Sequence, residues 1–131
     1  MKLLVIDASA LVPPFLEEPH SADTERWLSR ADEIHAPDLI HAEVGNVLWK
    51  RHRRGDVPAG YAAATAQRLR MMPLLVHSAF DLLPDALDIA LRYDRSVYDC
   101  LYAALALRTG SVMVTADQRL ANALADTPLA G

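Results

Sequence analysis

Short apolar runs separated by amphipathic stretches set the rhythm of this chain. Leu3-Leu4-Val5-Ile6 is a continuous apolar run that stops at Asp7, the pattern of a strand buried on both faces. Ile34-His35-Ala36, closed by Pro37, reads as a second strand. Leu74-Leu75-Val76 reads as a third, also buried, and Val112-Met113-Val114 as the last clear one.

The intervening stretches carry helical periodicity. The apolar segment from Leu11 to Leu16 holds Pro13-Pro14, which interrupts or restarts its helix and pushes Val12 towards an extended conformation. Residues 17–20 read as a loop, and Ser21 to Arg30 as a helix with Ala22, Trp27 and Leu28 on one side. Asp38 caps the helix DLIHAEVGNVLWKRHRR, whose basic end complements the helix dipole. Gly55-Asp56-Val57-Pro58 ends it, and an Ala-rich helix from Ala59 to Met72 stops at Pro73. Asp81 to Arg92 predicts a helix with Pro84 in its first turn and Leu83, Leu87, Ala90 and Leu91 facing inward. Ser96 caps VYDCLYAALALRTG, which Gly110 terminates. Thr115 opens a final helix from Ala116 to about Ala125.

Strands alternating with helices predict an α/β domain, a parallel sheet covered on both faces. The 131 residues make one such domain, residues 1–131, without internal repeat or linker. A hydrophobic content of 52% excludes disorder. The single cysteine, Cys100, forms no internal disulfide, and no Cys/His pair has zinc-finger spacing, which favours a reducing cytoplasm. No segment reaches about 18 consecutive apolar residues, so no membrane span is expected. The N-terminal run, ended by Asp7, does not read as a signal peptide. The formal net charge of −4 does not advertise nucleic-acid binding. It is a weak veto, because a basic patch or a bound cation reverses the charge that a phosphate meets locally.

Candidate chemistry lies in four acids. Asp7 and Asp117 each follow an apolar strand by one to three residues, so a parallel sheet carries both to its carboxyl edge, where open α/β sheets bind ligands. Glu43 borders the apolar stripe Ile40, Val44, Val47, Leu48, where an unpaired carboxylate is costly to desolvate. Asp99 sits three residues after Ser96. Each has a structural alternative: Asp7 as a helix cap, Glu43 as a boundary residue reaching water, Asp99 in a capping box, Asp117 as a first-turn acid beside Thr115-x-x-Gln118. Their convergence on one edge points instead to a shared cation, because gathered carboxylates otherwise repel. An all-oxygen donor set suits Mg²⁺ or Mn²⁺, which activate water and clamp phosphodiester oxygens. The run Lys50-Arg51-His52-Arg53-Arg54 ends the Glu43 helix, as a dipole-complementing terminus or a phosphate-contacting rim. The five histidines are scattered, with His41 on a different helix face from Glu43. Trp27, Trp49, Tyr98 and Tyr102 read as packing residues.

The segments V-I-D-A-S-A-L, H-A-E-V-G-N-V-L, V-Y-D-C-L-Y-A-A-L-A and V-T-A-D-Q-R-L, in this order across nearly the whole chain, resemble the PIN-domain family, most closely VapC-type toxins. The resemblance implies a three-layer α/β/α sandwich with a central parallel sheet, and Mg²⁺- or Mn²⁺-dependent endoribonuclease activity leaving a 5′-phosphate and a 3′-hydroxyl. It implies a VapB-like antitoxin that occludes the site, an RNA substrate and a homodimer. The family's acidic quartet falls on Asp7, Glu43, Asp99 and Asp117, all as metal ligands or catalytic acids, with Ser9, Asn46 and Thr115 in support. Lys50, Arg51, Arg53 and Arg54 become candidate RNA contacts. Two departures stand out: Pro13-Pro14 after the first strand, and Pro128-Leu129-Ala130-Gly131 where relatives carry a final edge strand.

Two other readings are a non-catalytic PIN-fold binding module and a different metal-dependent phosphodiesterase or nuclease. A response-regulator receiver needs a late lysine, and the only lysines are Lys2 and Lys50. A haloacid-dehalogenase-type phosphatase needs a second Asp at position 9, which is Ser.

Overall fold

The computed structural model describes residues 1–16, 21–117 and 120, apart from the side chains of 21–24. The loop expected at 17–20, the final helix beyond Leu120, Gln118 and the C-terminal segment lie outside the described residues. Among the described residues the sheet has four parallel strands in the order β3-β2-β1-β4: β1 Leu3–Ile6, β2 Glu33–Pro37, β3 Leu74–His77 and β4 Val112–Val114. Central β1 accounts for its unbroken apolar sequence, since Leu4, Val5 and Ile6 are all buried and each fully buried side chain contributes about 1.5–3 kcal/mol.

Helix α6 (Val97–Thr109) lies against β1, β2 and β4, and α5 (Ala79–Tyr93) packs on α6. Helices α1 (Ala8–Leu11), α3 (Leu39–Arg53) and α4 (Ala59–Arg70) pack together, with α3 also touching β2, and α2 (Ser21–Arg30) touches α1. The result is the three-layer α/β/α sandwich that the alternation of elements predicts. In α6 every residue from Cys100 to Ala106 is buried, as expected for a helix held between a sheet and another helix. Ser96 caps α6 by accepting from Asp99 N, and Gly110 ends it in the left-handed conformation (φ 67°).

The prolines do interrupt the first helix: α1 stops at Leu11 and a 3₁₀ turn covers Pro13–Leu16. Val12 nevertheless stays helical (φ −72°, ψ −46°), because its N–H bonds Ala8 O and its side chain is fully buried. Tertiary packing there outweighs the pre-proline preference.

Three further expectations are corrected. Strand β3 is an edge strand, and Leu75 and Val76 are 45% and 43% exposed rather than buried. Helix α5 begins at Ala79, so Pro84 sits inside it, past the first turn. Its inward face is Leu82, Ala86 and Ile89, with Ala90 half-buried; Leu83, Leu87 and Leu91 point outward. The small Ala86 and Ala90 allow close approach to the Ala-rich α6, and a helix apolar on two sides turns that one inward. Third, Asp38 makes no cap bond to its own helix. Its N–H donates to His77 O at 2.7 Å and its carboxylate accepts from Ala79 N at 3.2 Å, so it caps α5 across space.

Candidate metal centre at the carboxyl edge of the sheet

Asp7 leaves β1 in an extended conformation and caps α1, its Oδ1 accepting from Ala10 N at 3.1 Å. It is only 7% exposed. Ser9 Oγ donates to the same oxygen at 2.6 Å, and the Thr115 hydroxyl donates to Oδ2. Each hydroxyl accepts in turn: Ser9 Oγ from Ala116 N and Thr115 Oγ1 from Asp117 N, both at 3.0 Å. Strand pairing makes this possible, because β4 runs beside β1 and Asp7 N bonds Val114 O at 3.3 Å. Burial raises the Asp7 carboxyl above its ordinary range; the three donors counteract this, and the neighbouring Asp117 charge adds to it.

Thr115 therefore serves Asp7 rather than starting a helix at Ala116. The acceptor for the following helical residue is Asp117, whose Oδ1 takes Leu120 N at 3.2 Å.

Glu43 reaches the edge from α3 and Asp99 from the first turn of α6. Both carboxyls are raised, first by burial; Glu43 also feels the charges of Asp7 and Asp99, and Asp99 that of Asp117. The four acids thus lie near enough for their charges to repel one another. Among the described residues, no three acidic, histidine or cysteine side chains are drawn close enough to hold an ion as they stand. The donor set, oxygen throughout and half-buried, fits a hard divalent cation.

Sequence reasoning missed Tyr102 as part of this edge. It is buried, and its hydroxyl donates to Glu43 Oε1 at 2.7 Å. Burial and the Glu43 carboxylate push its phenol well above the usual range, so it remains a donor. The signal available was its position three residues after Asp99, on the same helix face. Trp27, Trp49 and Tyr98 are not core residues, being 39%, 52% and 66% exposed. Asn46 is exposed and makes no side-chain hydrogen bond among the described residues.

The basic run lies at the far end of α3. Lys50 is exposed, Arg53 stacks over Trp49 with its guanidinium carbon 5.2 Å from the ring centroid, and Arg54 pairs with Asp56 at 2.6 Å. Lys50 follows Glu43 by seven residues, two turns along the same face. The histidines are less scattered than their spacing suggests, because His35 Nδ1 and His77 Nε2 lie 2.8 Å apart between β2 and β3.

No described helix is long and apolar enough to cross a membrane. The PIN-domain family profile matches residues 4–124. Ribonuclease VapC3 of Pyrobaculum aerophilum is 40% identical over 120 residues, covering 90% of this chain and 92% of that protein. Ribonuclease VapC3 of Mycobacterium tuberculosis is 32% identical, covering 92% and 86%. In three dimensions, the crystal structure of PAE2754 from Pyrobaculum aerophilum superposes with a TM-score of 0.71 at 28% identity, over 93% of this chain and 79% of that one. A profile that runs from the central strand past the last of the four acids, with relatives matched along nearly their whole length, places this protein in the PIN-domain family, in its VapC-type branch.

Proposed function

We propose that this chain is the endoribonuclease toxin of a type II toxin–antitoxin pair, hydrolysing RNA phosphodiester bonds with Mg²⁺ or Mn²⁺ held by Asp7, Asp99, Asp117 and Glu43. The cluster of mutually repelling carboxylates, contributed by four separate segments, carries the reading. When bound, such an ion supplies charge neutralisation at the phosphodiester and acidity to a water. The chain's residues do the rest. Asp7 spends three of about four acceptor positions on Ala10, Ser9 and Thr115, which fixes its orientation and leaves one position open. Asp99 and Asp117 add carboxylates from the α6 N-terminus and from beyond β4, and Glu43 ligates or orients the attacking water. Lys50, Arg51, Arg53 and Arg54 bind the flanking RNA backbone, and Asn46 supports the substrate side of α3.

A VapB-like antitoxin is the protein partner. An apolar cleft of about 240 Å³ between α1, α3, α4 and β3, lined by Leu11, Ile40, Val44, Leu69 and Leu74, suits an apolar antitoxin segment. A homodimer is supported by the outward stripe of α5, where Phe80 (85% exposed), Leu83, Leu87 and Leu91 form one apolar row. Asp81 and Asp85 flank its first half, and near its end Arg92 pairs with Asp88 at 3.3 Å. Two copies of α5 packed antiparallel about a two-fold axis would bury this row against itself. A reducing cytoplasm accords with the single, buried Cys100.

The deciding experiment maps RNA 5′ ends after induction of the wild-type chain and of Asp7→Asn. Discrete new 5′-phosphate ends in the wild type alone are expected. Identical ends in both would overturn catalysis at this edge and favour a non-catalytic binding module.

A further inference from the structure

Tyr102 is 2% exposed, and its hydroxyl has found its acceptor on a different helix, at Glu43 Oε1, 2.7 Å away and 59 residues distant in sequence. The carbonyls of its own helix are committed to the α6 ladder, so the phenol needs an acceptor from outside. The acceptor it has is one of the four site acids. A phenol has one proton to donate, and it spends that proton on Oε1. Glu43 is otherwise a long side chain at the boundary of α3, free to turn about three bonds and repelled by Asp7 and Asp99. The bond from Tyr102 removes that freedom by anchoring Oε1.

We propose that Tyr102 is a positioning residue. It holds Glu43 in a single orientation, with one of about four acceptor positions taken at Oε1 and Oε2 left for the divalent cation or the attacking water. This assignment rests on the reading of the edge as a divalent-cation nuclease site. Outer partners of metal-binding carboxylates act in this way, fixing the ligand rather than touching the ion.

The test is calorimetric titration of Mn²⁺ into the full chain and its variants Tyr102→Phe, Glu43→Gln and the double substitution. Tyr102→Phe should weaken Mn²⁺ binding by about ten- to a hundred-fold, the usual effect of removing such a partner. If Tyr102 acts through Glu43, the double variant binds no more weakly than Glu43→Gln alone. Unchanged binding in Tyr102→Phe, or losses that simply add, would overturn the proposal, as would Glu43→Gln binding like the wild type. In that last case, abolished binding in Asp7→Asn and Asp99→Asn would leave the metal site itself intact. Wild-type affinity in those two variants would instead remove the site and the proposal together.

A second measurement does not depend on Tyr102→Phe folding. With 3-fluorotyrosine in place of the four tyrosines, the fluorine resonance shielded from solvent belongs to ring 102, since Tyr61, Tyr93 and Tyr98 are all exposed. That resonance should move when Mg²⁺ is added to the wild type, and should move in Glu43→Gln without Mg²⁺. A resonance indifferent to both changes would refute the coupling.

Discussion

Ser9 Oγ and Thr115 Oγ1 lie 3.3 Å apart although 106 residues separate them, and both hydroxyls donate to the Asp7 carboxylate. The first and last described strands, already paired through Leu4, Val5 and Ile6, are thereby joined a second time at an acid. Ser9→Ala and Thr115→Val should each cost about 1.5–3 kcal/mol, the range for hydrogen bonds to a charged group. Because the two donors share one acceptor, the double substitution should cost less than the sum. Urea denaturation of the three variants measures this.

The carboxyls of Asp7, Glu43 and Asp99 are all raised, chiefly by burial. Unfolded, such groups ionise near about pH 4. Above that, the folded chain still holds protons that the unfolded chain has released. This cluster's contribution to stability therefore falls as pH rises through the folded values. In chelator, Asp99→Asn should raise the melting temperature at pH 7.5 and flatten its pH dependence, and Mg²⁺ should raise that of the wild type. A melting temperature insensitive to both would contradict the mutual repulsion.

His77 works in the opposite direction. Burial, with smaller contributions from His35 and Arg108, lowers its ring below the ordinary value. Its bond to His35 needs one nitrogen as acceptor, and Glu33 Oε1 lies 3.4 Å from the other side of His35. The unfolded imidazole takes up its proton near about pH 6.5 while the folded one remains neutral, so stability is present above that pH and lost below it. His77→Gln should flatten the acid limb of the melting curve between pH 6.5 and 5, leaving the alkaline limb to the carboxylates.

What could be read in the sequence follows from how local the cause was. Each strand that ends at the acidic edge announces itself by an apolar run stopping at a polar residue, so Asp7 and Asp117 were legible together. The Ser96 and Gly110 caps are likewise local. The inward face of α5 was not legible, because Leu83, Leu87 and Leu91 are as periodic as Leu82, Ala86 and Ile89, and only the small side chains of α6 decide between them. Asp38 looked like a cap for its own helix; its partner, Ala79, is 41 residues away. Tyr102 looked like packing for the same reason, its acceptor lying on another helix.

Leu87→Glu on the outer row of α5 should convert a dimer into a folded monomer. Leu87 is already 45% exposed, so the change spares the core. Sedimentation velocity reads the mass, and circular dichroism confirms the fold. A dimer that persists would move the interface elsewhere.

Lys50 and Arg53 are better candidates for phosphate binding than Arg54, whose guanidinium is already paired with Asp56. In an Asp7→Asn background, expected to bind without cutting if Asp7 holds the metal as proposed, Lys50→Ala with Arg53→Ala should weaken single-stranded RNA binding. The slope of log affinity against log salt should drop by about 0.7 for each phosphate that is no longer neutralised. An unchanged slope would leave the basic run as a helix terminus only.

The position of β1 at the centre of the sheet has a consequence for the order of assembly. Its two neighbours are β2, the next strand in the chain, and β4, which follows only after β3. Asp7 therefore leaves the ribosome 108 residues ahead of Thr115, which donates to it. A nascent chain thus carries three of the four described strands and an incomplete acid cluster until Asp117 has emerged. On the site proposed above, the four acids come together only once β4 and Asp117 have followed.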